Sequence, residues 1–161
     1  MPAALPSPEG PVFCPDPHLW QAALESSRKS PRRRIIQPVQ RSERAQVQRL
    51  MNFLQPGTYV RPHRHPGLMA SESVVLLAGA LDVLIFDERG ELTARHELRG
   101  PGSLIDLEPG VWHGMIVQAP DTVIFEVKCG PYEPEADKDF ASWAPEEGDP
   151  AVTAFLDRFG D

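Results

Sequence analysis

GTYVRPHRHPGLMASESVVLLAG, residues 57–79, is the stretch on which the fold turns. It places imidazoles at His63 and His65, then Glu72, then the apolar run Val74 to Leu77. On a strand, side chains two apart point to the same face, with Cα atoms about 7 Å apart. Imidazoles leaning together across that gap can present two nitrogens to one ion, at the roughly 2.0–2.1 Å that a divalent metal requires. The chain has five histidines, and a third candidate ligand, His113, follows the turn Glu108-Pro109-Gly110 far downstream.

Outward from this stretch the pattern is one of short strands and tight turns. Val47 to Leu54 reads as a strand, with a short helix as the alternative, and Gln55-Pro56-Gly57-Thr58 as a turn. Tyr59 to His65 reads as extended chain around Pro62, and Pro66-Gly67 breaks it. Glu72–Leu77 and Leu81–Phe86 are strands, and Leu92–Leu98 pairs back across Asp87-Glu88-Arg89-Gly90 as a hairpin. Ser103–Leu107, Met115–Val117 and Val123–Val127 complete the run. Many short strands with turn signals between them predict a sandwich or barrel, and a jelly roll fits the size while managing its strand edges.

The ends read differently. Residues 1–15 are rich in proline and irregular by pattern. Asp16-Pro17 reads as a cap and first turn for a helix from His18 to Arg28, which Pro31 stops. Residues 131–148 are acidic, with Tyr132, Phe140 and Trp143 as anchors onto the sheet. Asp149-Pro150 then caps a last helix running to Phe159. The expected organisation is an all-β fold with short terminal helices. It comprises an N-terminal extension over 1–44 (helix at about 16–28), a barrel over 45–130, and a C-terminal segment over 131–161 (helix at about 150–159) that packs on the barrel.

Composition narrows the function classes. The chain has 161 residues, 41% hydrophobic and 24% charged, ordinary values for one globular domain. No apolar run approaches the roughly 18 residues of a membrane span. The N-terminus has neither the basic nor the apolar region of a secretory signal, so the expected compartment is the cytoplasm. Cys14 and Cys129 read as free thiols. Charge is uneven: residues 1–65 hold ten Lys/Arg against four Asp/Glu, and residues 66–161 hold six against nineteen. The run Arg28–Arg34 reads as a solvated helix end, with docking of an anionic partner as the alternative, and the acidic remainder argues against nucleic acid.

Gly57, His63, His65, Glu72 and Gly79 together resemble the first cupin motif. The gap from His65 to Glu72 holds six residues, where that motif usually has about three or four. Gly102 and Pro109-Gly110-Val111-Trp112-His113 resemble the second motif, with Val117 where it carries Asn. The stretches LQPGTYVRPHRHP, VLIFDERG, PGVWHGM, FEVKCGPYEP and KDFASWAPEEGDP look like the WbuC-type branch of cupin-fold metalloproteins. This resemblance runs over about residues 45–159. It implies a small cupin (jelly-roll) β-barrel, a metal held by His63, His65, Glu72 and His113, and an association with O-antigen-type polysaccharide biosynthesis. Members of the superfamily commonly form homodimers.

The donor chemistry agrees. Three imidazoles and a carboxylate suit one divalent transition metal (Zn, Fe, Mn or Ni), and the lack of thiolate disfavours a closed structural zinc site. Arg61 shares strand parity with His63 and His65, so it either faces the cavity as an anion contact or stands exposed. Tyr59, two residues earlier, could line the mouth. Glu126 and Lys128 share one face of the last strand, with the cavity the favoured side. There Glu126 would be the general base and Lys128 an anion contact. The expected partner is a small molecule, anionic or sugar-like, with no membrane. Three functions compete: metal-dependent proton transfer on a sugar-derived substrate, an Fe(II) dioxygenase, and a non-catalytic sugar-binding or regulatory cupin.

Overall fold

The computed structural model describes residues 3–134 and 136–160. The irregular start expected for residues 1–15 thus includes Met1 and Pro2, which lie outside the described residues, as does Asp161 of the C-terminal segment. Helix α1 spans Pro17–Lys29. The Asp16 side chain accepts from the Leu19 amide at 2.8 Å, which satisfies one of the donors a helix start leaves open.

Ten strands follow among the described residues: β1 (Arg34–Pro38), β2 (Val47–Leu54), β3 (His63–Arg64), β4 (Glu72–Ala78), β5 (Ala80–Phe86), β6 (Leu92–Arg99), β7 (Leu104–Leu107), β8 (Trp112–Val117), β9 (Thr122–Cys129) and β10 (Asp139–Phe140). They form two antiparallel five-stranded sheets, ordered β1-β2-β9-β4-β7 and β10-β3-β8-β5-β6. Helix α2 spans Val152–Asp157. The all-β class with two short helices is as the sequence predicts.

Alternation along the strands divides three apolar clusters. Inside, Leu54, Val74, Leu76, Leu81, Val83, Leu98, Val117 and Ile124 pack together. Outside the first sheet, Met51, Phe53 and Val123 are covered by Ala23 and Leu24 of α1. Outside the second, Leu84, Phe86 and Trp112 are covered by Ala144, Phe155 and Phe159. Trp143 packs its ring on Phe86 at 5.0 Å between centroids, so it is the anchor expected of it. Tyr132 and Phe140, the other two proposed anchors, are 37% and 52% exposed.

The interior is graded from one end to the other. Register pairs Glu72 with Lys128, Val74 with Glu126 and Leu76 with Ile124. One end of the barrel interior is therefore apolar and the other polar.

The structure departs from the sequence-based expectation at four places. Strand β1 lies in the presumed extension, and β10 in the presumed C-terminal segment, so the sheets draw on residues beyond 45–130. A parallel bridge from Ala4 to Ile36 adds the N-terminal arm to the edge of β1. Within the extended segment 59–65 only His63–Arg64 pairs as a strand, and the parity assumed for Tyr59 and Arg61 does not hold across Pro62. The last helix is shorter than 150–159: Asp149 accepts from the Ala151 amide at 2.7 Å in a turn before it.

The basic run Arg28–Arg34 is a solvated helix end only in part: Arg28, Lys29 and Arg33 are exposed, but three of its arginines form ion pairs. Arg28 pairs with Asp121. Arg32 Nε meets Glu147 Oε1 at 2.6 Å, and Arg34 Nη2 meets Glu147 Oε2 at 2.9 Å. Arg34 Nη1 also donates to the Tyr59 carbonyl at 2.7 Å. The run thus clamps the C-terminal segment to β1. Burial pushes the Glu147 carboxyl up, but Arg32 and Arg34 outweigh it and hold the group below its ordinary 4.5. A depressed folded-state value gives stability that is full above the unfolded value and lost as pH falls through the folded one. Below about pH 4.5, the urea midpoint of Glu147→Gln should therefore fall less steeply than that of the parent protein. Parallel curves there would mean that the clamp contributes nothing.

Candidate metal centre

The cross-strand register sets His63 directly opposite His113 on β3 and β8. Their rings lie 4.4 Å apart, and the His65 ring lies 5.3 Å from that of His63. Glu72 approaches from the first strand position of β4, on the other sheet. The four side chains are buried, and one ligand atom from each lies within 4.8 Å of all the others. The spacing in sequence and the meeting in space thus involve the same four residues.

The ring nitrogens settle into two sets. Nδ1 of His63 lies 3.0 Å from the Arg61 carbonyl, Nδ1 of His65 2.6 Å from that of Asp137, and Nδ1 of His113 2.9 Å from that of Val111. A carbonyl can only accept, so each Nδ1 carries the proton and donates it. In a neutral imidazole this leaves a lone pair on each Nε2. All three Nε2 atoms are buried and have no hydrogen-bond partner. They face Glu72 Oε2, at 3.3 Å from His65 and 3.1 Å from His113. Burial, then the charge of Lys138, hold His63 well below its ordinary value, which keeps that ring neutral. Converging lone pairs beside a carboxylate repel one another unless a cation lies between them. The cluster therefore fits a metal ion, with backbone carbonyls orienting each imidazole in the way outer partners of metal-bound histidines do.

Beside the cluster opens a cavity of about 530 Å³, within the size range of small-molecule sites. Glu126 and Lys128 line it, on the side the sequence favours. Glu126 Oε2 accepts from Asn52 Nδ2 at 2.9 Å. Burial, followed by the charge of Glu72 beside it, pushes the Glu126 carboxyl up to about 8.

Three expected contacts are placed otherwise. Lys128 Nζ is held by Asp137 Oδ2, so its charge is already matched. Arg61 points away from the cavity: its guanidinium donates to the Ala141 carbonyl at 2.8 Å and meets Glu146 at 3.6 Å. Tyr59 is buried among Leu84, Phe86 and Phe155 on the outer side of the sheet, and its hydroxyl donates to the Pro145 carbonyl at 2.7 Å. Pro62 interrupts the alternation, so Val60 lines the cavity three positions before His63 while Tyr59 and Arg61 face outward. Arg64 takes the opposite face from its neighbours, as expected. Its guanidinium lies 4.5 Å over the Trp112 ring and pairs with Glu88 and Asp139 at 3.1 Å.

Sequence reasoning left Asn52 without a face and overlooked Asp137 and Lys138. Lys138 is the only Lys or Arg between Lys128 and Arg158. A lone cation in an acidic segment is the one signal that could have marked it.

Two five-stranded antiparallel sheets with histidines at the polar end of their shared interior have the architecture of the cupin, or double-stranded β-helix, fold. More particularly, the chain belongs to the family described as "Domain of unknown function (DUF6016)", which matches residues 16–98 and so takes in His63, His65 and Glu72. No curated protein matches the sequence. Among solved structures, the chain is similar to an uncharacterized conserved protein with a double-stranded β-helix domain from Klebsiella pneumoniae. Identity is 18%, the TM-score 0.57, and the match covers 83% of this chain and 99% of that one. A Shewanella oneidensis protein is 19% identical with a TM-score of 0.52, over 65% of this chain and 72% of the other. Oxalate decarboxylase from Bacillus subtilis is 18% identical with a TM-score of 0.50, over 73% of this chain but 29% of the decarboxylase. These likenesses establish the cupin fold. No helix among the described residues is long and apolar enough to cross a membrane.

Proposed function

We propose that this protein is a metal-dependent cupin enzyme that moves a proton on a sugar or sugar-derived small molecule, in the manner of an isomerase. The observation that carries the reading is the set of three unpartnered Nε2 atoms of His63, His65 and His113 facing Glu72. These four residues would hold one divalent transition ion, a Lewis acid able to polarise a carbonyl or hydroxyl oxygen. Glu126 is the group placed to give and take the proton. It lines the cavity, lies next to Glu72, and is oriented by Asn52. Tight burial of the ligands excludes bulk water from the reacting end, while the cavity leaves room for a substrate of modest size.

The WbuC-type character and the link to polysaccharide biosynthesis rest on the five stretches quoted above, VLIFDERG and KDFASWAPEEGDP among them. A cytoplasmic setting is supported by two exposed free thiols, Cys14 and Cys129.

The test is solvent proton exchange. Metal-loaded protein in deuterated water, given a panel of aldoses, ketoses and their phosphates, should place deuterium beside the carbonyl of one of them by NMR. Glu126→Gln should slow that exchange by about 100-fold while retaining the metal. Ligand binding with no exchange on any compound would reject the enzyme in favour of a binding cupin. Oxygen uptake by the iron form would instead favour the dioxygenase.

A further inference from the structure

The cavity's cations are not equivalent. Arg32 and Arg34 are both taken up by Glu147, and Lys128 by Asp137. Lys138 also lines the cavity, half-buried, and makes no ion pair among the described residues. His63 and Glu126 line the same cavity, and the charge of Lys138 acts on both.

Its position is fixed from both neighbours along the chain. The Asp137 carbonyl receives the His65 Nδ1 proton, and the Asp137 carboxylate holds Lys128. On the other side Asp139 pairs in register with Arg64 as part of β10. A flexible surface lysine would sweep a wide volume. This one is tethered at both flanks beside the cavity. Its ammonium has three donors to satisfy and pairs with no acidic side chain among the described residues.

We propose that Lys138 is the anion-recognition residue of the cavity, and that the natural ligand is a small polar molecule carrying a carboxylate or phosphate group. This rests on the reading of the site as a metal-dependent sugar-type cavity and names its substrate class. The anionic group meets Lys138, and the neutral oxygens extend toward Glu126 and the histidine cluster. The same placement explains why Lys128 and Arg61 are not the anion contacts: each is already engaged by the protein itself.

Three matched probes separate the outcomes: glucose, glucuronate and glucose 6-phosphate, titrated calorimetrically into the metal-loaded protein. At least one anionic probe should bind about tenfold or more tightly than glucose, a gap of one charge-assisted contact. Preference between glucuronate and glucose 6-phosphate identifies the anion as carboxylate or phosphate. Lys138→Gln should abolish the advantage and leave glucose binding and metal content unchanged, and Lys138→Arg should restore most of it. Equal binding of all three probes by the parent protein, no binding at all, or an undiminished advantage in Lys138→Gln overturns the inference. Metal content, measured on each sample, tells this failure from failure of the metal reading: equal binding by a fully metal-loaded parent, or an undiminished advantage in fully loaded Lys138→Gln, overturns the Lys138 assignment alone.

Discussion

Protein carrying His63→Ala, purified without a polyhistidine tag, should contain no stoichiometric metal, whereas the parent chain should contain one ion per molecule by elemental analysis. Losing a partner outside the coordination shell typically weakens metal binding by about 10–100-fold, and losing a ligand should exceed that range. His63 is 2% exposed and lies across from His113 within the cluster. His113→Ala should behave in the same way. Arg64→Ala, one position away but on the outer face, should keep its metal. Retention of far-UV circular dichroism in the histidine variants would locate the loss in the cluster and not in the barrel. A parent protein that takes up no metal, or variants that keep it, would sink the reading of the four residues.

The second large effect concerns the fold. Gly79→Ala should destabilise the protein by about 3 kcal/mol or more, because it combines left-handed backbone strain with a clash. Gly79 has φ +82°, and a Cβ there would lie 2.3 Å from Thr122 Oγ1 and 2.7 Å from the Thr122 Cα. Thr122 is itself pinned, its hydroxyl donating to the Ala119 carbonyl at 2.7 Å and accepting from the Ala80 amide at 3.1 Å. Gly57 supplies the control. Its φ is +84°, yet nothing lies within 4 Å of an added Cβ. Gly57→Ala should lose only the backbone term, about 1 kcal/mol. Equal unfolding midpoints for the two variants would refute the role assigned to Thr122. The two glycines that mark the ends of the sequence motif are thus there for different physical reasons.

What could be read from the chain alone depended on local periodicity. The short apolar runs of β4 and β5, the alternation late in β9, and the His-x-His spacing at His63 and His65 are properties of a few adjacent residues. They remain visible without knowledge of the rest. Parity breaks at Pro62, so Tyr59 does not line the mouth, and Arg61 turns outward instead of toward the cavity, the second of the two places the sequence left open to it. Strand β1 was hidden by Arg32 to Arg34, whose charges read as solvent-facing although Glu147 waits more than a hundred residues away to neutralise two of them. The parts of the site that escaped notice, Asp137 and Lys138, sit in a segment with no periodic signal. They reach the cavity only through the pairing of β10 with β3, a contact no local pattern encodes.

That pairing has a temporal consequence. His65 takes its orientation from the carbonyl of Asp137, and His63 is flanked by Phe140. A chain emerging from the ribosome can form most of both sheets before residues 137–140 exist outside the exit tunnel, but it cannot yet hold all its imidazoles in place. Metal capture would then wait for residues 137–140 and would report that this segment has been made and has paired with β3.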